Sequence, residues 1–189
     1  SNIPYFMARG DTPYGGINLV DGIPNILTDV YSNVLMGLCA EKTATEHNIS
    51  REDQDEFAKL SYTRTAAAWK AGVYDKEVVP VTIKTKKGET VVKDDEEYHR
   101  VNFEKIPNLK TVFKKDGTIT AANASSINDG AAAVVLMTAD KCKELGLTPL
   151  AKILAYSDSA KAPEDFPQAP YTAMVKMFDE TGLKPEDID

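Results

Sequence analysis

The sequence predicts an α/β protein, and three features carry that reading. A capped helix opens at Ser50 and stops at Gly72, an alternating strand covers residues 77–85, and a seven-residue apolar run occupies residues 131–137. Residues 120–138 (TAANASSINDGAAAVVLMT) are the centre of the pattern, because small and polar residues pass through Asn128-Asp129-Gly130 directly into that run. Asn, Asp and Gly favour tight turns. The run that follows suits a strand covered on both faces, although periodicity alone does not separate it from a buried helix. In α/β proteins ligands gather where such loops meet strand and helix ends.

The elements follow in order. Residues 1–30 are rich in Gly and Pro and read as loop, with one short helix near residues 25–28. A helix covers residues 38–47 and places Cys39 in its first turn, where a helix N-terminus lowers a thiol pKa. No His or Asn stands near Cys39 in sequence, and a small buried cysteine is the commoner use of such a position. Ser50 then caps the clearest helix, with Glu52 and Asp53 in the first turn. Phe57, Leu60, Arg64, Ala67 and Ala71 recur at three and four residues and mark one face.

Pro80 assigns the alternating strand EVVPVTIKT to a sheet edge, residues 86–89 to a turn, and residues 90–93 to a returning strand. The acidic run at residues 94–97 reads as a solvated loop rather than a metal site, and neither His47 nor His99 has a partner at ligand spacing. Residues 106–113 form a short helix or loop, and Asp116-Gly117 a turn. Thr138 caps a helix at residues 139–145, closed by Gly146, and residues 149–156 (PLAKILAY) read as the next strand. A Pro-rich loop leads to a helix at residues 170–181 with Pro170 at its first position.

Composition bounds the function. Hydrophobic content of 42%, charged content of 27% and a mean hydropathy of −0.32 are those of a globular protein. No segment approaches the roughly 18 apolar residues of a membrane span. The start, SNIPYFMARG, lacks the pattern of a signal peptide and does not begin with Met, as expected of a processed product, an excised segment or an incomplete sequence. Two cysteines make no disulfide framework and read as reduced thiols of an intracellular protein. A net charge of −7 argues against nucleic-acid binding. Against that background Arg100, Lys105, Lys110, Lys114 and Lys115 face one acid, Glu104, a local +4 that either attracts an anionic group such as a phosphate or only coats a loop.

Six motifs, SNIPYFMARG, TPYGG, MGLCAEKTA, QDEFAKLSYTRTAAAWKAG, TAANASSINDGAAAVVLMT and DFPQAP, together resemble the thiolases from end to end of the chain. The resemblance implies a partial thiolase-like α/β fold. Residues 1–116 would be the loop domain and adjoining first-half segment, residues 117–147 the last strand and helix of the N-terminal half, and residues 148–189 the start of the C-terminal half. It implies a segment of an enzyme that interconverts acetoacetyl-CoA plus CoA with two acetyl-CoA. The alternatives are an inactive truncated paralogue acting as a CoA-binding or subunit-pairing module, and a degenerate copy without a stable fold.

Matching positions carry the family's contacts. Tyr62 of the SYTR motif matches a tyrosine that touches CoA and potassium, Arg100, Val101 and Asn102 match its Arg-Val-Asp, and Lys105 matches its nearby lysine. Ser125 matches a serine beside the pantetheine arm, and Ala121, Ala122 and Ala124 match positions whose carbonyls help hold potassium. Carbonyl oxygens suit a hard cation, so alanine is no objection. Phe166-Pro167 matches a dipeptide associated with 2-methyl-branched acyl groups.

Three departures stand out. Asn102 replaces the family's Asp, Leu35 replaces a usual His, and the motifs bearing the catalytic cysteines and histidine are absent, so the chain alone is expected to be inactive. The partners implied are an acyl-CoA substrate and a thiolase-type homo- or hetero-oligomer, with no nucleic acid and no membrane, in the mitochondrion.

Overall fold

The structure, a computed structural model, describes residues 3–188. In chain order the elements are β1 (Tyr5–Phe6), β2 (Val20–Asp21), α1 (Gly22–Ile26), α2 (Met36–Glu46), α3 (Arg51–Lys70), β3 (Val81–Thr85), β4 (Gly88–Val92), α4 (Glu97–Arg100), α5 (Ala139–Glu144) and α6 (Ala169–Thr181). Short 3-10 turns occupy Ile106–Asn108, Pro163–Gln168 and Pro185–Asp187. These elements fall into two compact units, residues 44–126 and residues 1–43 with 127–189.

The unit of residues 44–126 is organised on α3. Ser50 accepts a hydrogen bond from the Asp53 amide, and the Asp53 carboxylate accepts from the Ser50 amide at 3.0 Å, closing a capping box. Gly72, at φ +71°, takes the left-handed conformation that ends the helix. The face turned inward is not the one that periodicity selects: Asp55 and Ala58 are buried, whereas Phe57 and Leu60 are exposed. Ile106, 1% exposed, brings its 3-10 turn against α3, and Ile119 and Thr120 complete the small core. Trp69 stacks on Tyr98 of α4 at 6.1 Å between ring centroids and meets Tyr74 at 5.1 Å. β3 and β4 form a solvent-exposed antiparallel hairpin, Val81 opposite Val92, with Lys86-Lys87 at the turn. Its first strand begins after Pro80 rather than at residue 77, because the chain is still turning where Glu77 and Val78 donate to the Tyr74 carbonyl.

In the second unit, β1 pairs with β2 in a two-residue antiparallel ribbon inside the stretch expected to be loop. Gly22 follows directly, and a Cβ there would collide with the Pro4 carbonyl oxygen. The Asp21 side chain caps α1, which begins at Gly22 rather than near residue 25. On α2, Lys42 pairs with Asp165 of the second 3-10 turn. Thr138 caps α5 by accepting from the Lys141 amide at 3.2 Å, as its sequence position suggests. Gly182, at φ +70°, ends α6.

Two expected strands do not form. Residues 131–137 and 149–156 carry no ladder hydrogen bonds, and Val135 is 86% exposed and Ile153 67%. Their composition is that of buried strands, yet a strand exists only where a neighbour pairs its backbone, and among the described residues none does so.

Candidate ligand-binding site

Tyr62, Arg100, Val101, Asn102, Lys105, Ala121, Ala122, Ala124 and Ser125 all lie in the unit of residues 44–126. Tyr62 sits midway along α3, seven residues beyond Asp55 and therefore on the same helix face, about 10 Å further along the axis. Burial pushes the Tyr62 phenol above its ordinary value, and the nearby Glu97 carboxylate on α4 adds to the effect. The hydroxyl thus stays neutral well beyond physiological pH.

α4 ends at Arg100, whose exposed guanidinium pairs with Glu96 one turn earlier. Part of the local positive charge read from the sequence is therefore answered within α4. Val101 is half-buried, and Asn102 turns the chain: its side-chain oxygen accepts from the amides of Glu104 at 3.1 Å and Lys105 at 3.3 Å. An aspartate makes this same local turn, so the Asn102 departure removes a charge without removing the turn. Lys105 is exposed on the same loop, immediately before the buried Ile106.

Residues 120–125 hold the remaining candidate residues. Thr120 is fully buried, its amide donates to Asn123 Oδ1 at 2.7 Å, and its carbonyl accepts from the Ala124 amide at 3.0 Å. Among the described residues the carbonyl oxygens of Ala121, Ala122 and Ala124 accept no hydrogen bond, which leaves them open to a hard cation. Ser125 stands exposed at the end of the turn.

The residues that sequence reasoning missed are those joining these pieces. Asp55, 5% exposed, receives the Arg51 guanidinium at 2.8 Å and the Asn123 amide at 3.0 Å on its two oxygens. Arg51 donates further to the carbonyls of Ile106 at 2.9 Å and Leu109 at 3.2 Å, and Asn123 to that of Thr118 at 3.0 Å. Gln54 adds a bond to the Thr118 hydroxyl at 2.8 Å. The i,i+4 spacing of Arg51 and Asp55 is visible in the sequence as a helix pair; that Asp55 also holds a turn 68 residues away is not.

Elsewhere Cys39 takes the commoner of its two readings: it is 1% exposed, and burial, reinforced by the Glu164 and Asp29 carboxylates, raises its thiol pKa, so the nucleophile alternative has no support. Leu35 is half-buried, and its carbonyl accepts the first bonds of α2 from Leu38 at 2.8 Å and Cys39 at 3.3 Å. Phe166 and Pro167 lie in the 3-10 turn of the other unit. Among the described residues no group of three or more His, Cys, Asp or Glu is placed to hold a metal ion, and no helix is long and apolar enough to cross a membrane.

Comparison with known proteins places these features in a wider frame. The family model for the thiolase N-terminal domain matches residues 1–140. The chain is 60% identical to the mitochondrial acetyl-CoA acetyltransferase of Bos taurus and 57% identical to that of Homo sapiens, in each case over all of this chain and 45% of the relative. It spans about half the length of the curated relatives it matches. Among solved structures, a thiolase from Ascaris suum in complex with coenzyme A superposes with a TM-score of 0.90 at 44% identity, covering 99% of this chain and 48% of that one. Human mitochondrial 3-ketoacyl-CoA thiolase does so with a TM-score of 0.90 at 37% identity, over 99% and 48%.

Proposed function

The chain belongs to the thiolase family, and on that premise we propose that it is the coenzyme A-binding segment of an acetyl-CoA C-acetyltransferase. The observation that carries the reading is that Tyr62, the Arg100–Lys105 loop and the 120–125 turn, far apart in sequence, are assembled on or against α3 within one compact unit. Arg100 and Lys105 supply charge-assisted donors for phosphate oxygens. Val101 offers the only half-buried apolar side chain of that loop's first three residues, and Asn102 fixes the turn that presents Lys105. Ser125 supplies a hydroxyl toward the pantetheine arm.

The neutral Tyr62 hydroxyl and the carbonyls of Ala121, Ala122 and Ala124 are oxygen donors of the kind a potassium ion takes. The ion, when bound, would contribute fixed positive charge beside the anionic ligand. The parent reaction interconverts acetoacetyl-CoA plus CoA with two acetyl-CoA. Covalent acyl transfer needs an activated nucleophile with a base in reach, and Cys39, buried and held as a thiol, is not one; this chain alone binds and does not turn over. Residues 1–116 then serve as the loop-domain side of the enzyme, residues 117–147 close its first half and residues 148–189 begin its second, in an oligomer of thiolase type. The relatives named as mitochondrial support the same compartment here.

The test is a CoA titration of the chain, followed through Trp69, the single tryptophan, which stacks on Tyr98 two residues from Arg100. Saturable binding, weakened roughly tenfold by Arg100→Ala, is expected from the loss of a charged hydrogen bond. A folded chain that binds no CoA would remove the reading. CoA-dependent thiolysis by the chain alone, abolished by Cys39→Ala, would overturn the assignment of binding without turnover.

A further inference from the structure

We infer that Asp55 is a positioning residue for the proposed CoA site, the point through which α3 holds the 102–109 loop and the 120–125 turn in one geometry; this rests on the reading above. Asp55 touches none of the residues expected to meet the ligand. Its two carboxylate oxygens are divided: Oδ2 takes Nε of Arg51, one turn earlier on α3, at 2.8 Å, and Oδ1 takes Nδ2 of Asn123 in the 120–125 turn at 3.0 Å. From Arg51 the link continues to the carbonyls of Ile106 and Leu109, immediately beyond Lys105. From Asn123 it continues to the Thr120 amide, and so to the turn that aims the carbonyls of Ala121, Ala122 and Ala124.

A buried carboxylate that accepts from a guanidinium and an amide in fixed directions restricts orientation as an apolar contact cannot. The chain commits a buried charge, in a core with few large side chains, to this one junction. Asparagine at 55 keeps the volume but cannot accept from both partners with charge, and so ties the 120–125 turn, and through Arg51 the 102–109 loop, less firmly to the helix. Its amide also presents N–H groups to Asn123 Nδ2 or to Arg51.

The experiment compares CoA affinity in the full chain for four forms, each well below its own melting temperature. Asp55→Asn is expected to weaken CoA binding roughly tenfold, the loss typical of one charged hydrogen bond. The exchange Asp55→Asn/Asn123→Asp restores an amide–carboxylate pair of the opposite sense and is expected to recover part of that loss. Ala58→Gly, buried on the same helix face and without a polar side chain to bond either segment, lowers stability without moving the affinity. If Asp55→Asn does not fold, Asn123→Asp alone, which sets two carboxylates against each other, gives the same test. Unchanged affinity in a folded Asp55→Asn beside a wild type that binds overturns this inference alone. An Ala58→Gly variant that loses affinity in step with Asp55→Asn also overturns it, because general stability then accounts for the effect. Failure of the wild type to bind CoA overturns the functional reading and this inference with it.

Discussion

Tyr62 and Cys39 show how one physical term, burial, has different consequences for two acids. Each is raised above its ordinary value chiefly by loss of water around its anion. For Tyr62 this keeps a neutral hydroxyl facing the Glu97 side of the site. Spectrophotometric titration is expected to show two phenols, Tyr62 and Tyr98, ionising later than the bulk of the eight tyrosines, and Tyr62→Phe to halve that late component. The sign for stability follows from linkage. Below the unfolded tyrosine pKa, near 10, both states are protonated and Tyr62 contributes no pH dependence. Above it the unfolded chain loses its proton first, so stability falls with rising pH until the folded phenol also ionises. For Cys39 the raised value and 1% exposure predict the reverse of nucleophile chemistry. Native protein treated with iodoacetamide at neutral pH is expected to stay unlabelled at Cys39, and denatured protein to be labelled; rapid native labelling read by peptide mass would contradict this.

Helices were legible in the sequence wherever local chemistry decides them, and α3 is the clearest instance. Its cap, acidic first turn and glycine stop are all short-range signals, and all are met. Ser50→Ala is expected to cost about 1 kcal/mol, measured as a lower denaturant midpoint at unchanged slope. The same holds for Thr138 at α5 and for the turn at Asp116-Gly117, where the glycine amide returns to the Lys114 carbonyl at 3.1 Å. What the sequence could not supply is the partner. Phe57 and Leu60 lie on the apolar stripe but on the outer face, with Arg64, Ser61 and Tyr74 lining an open groove of about 280 Å³. The inner face is set by Asp55, whose partner Asn123 stands 68 residues along the chain. Apart from Arg100 and Lys105, which the local positive charge also marks, the candidate contacts were legible only through resemblance, since Ala121, Ala122 and Ala124 would act through backbone that any residue has.

At the scale of the whole chain, apolar exposure is the dominant fact. It is concentrated where the sequence promised interior: Val134, Val135 and Leu136 are 82%, 86% and 72% exposed, and Ile153, Leu154 and Tyr156 are exposed as well. These two segments combine β-branched or aliphatic side chains with unpaired backbone, the pairing that recruits a further strand. Their composition suits them to strands that a pairing neighbour would complete. The 189-residue chain on its own is therefore expected to associate with itself in a concentration-dependent way. Val135→Asp/Leu136→Lys should reduce that association by roughly tenfold or more, because each buried apolar side chain is worth about 1.5–3 kcal/mol. Sedimentation velocity across a hundredfold concentration range reads the effect. CoA affinity should be unchanged in the same variant, because both positions lie outside the unit of residues 44–126. A monomeric wild type would mean that these segments are covered by some other arrangement of the chain. Loss of CoA binding in the variant would tie the exposed segments to the site.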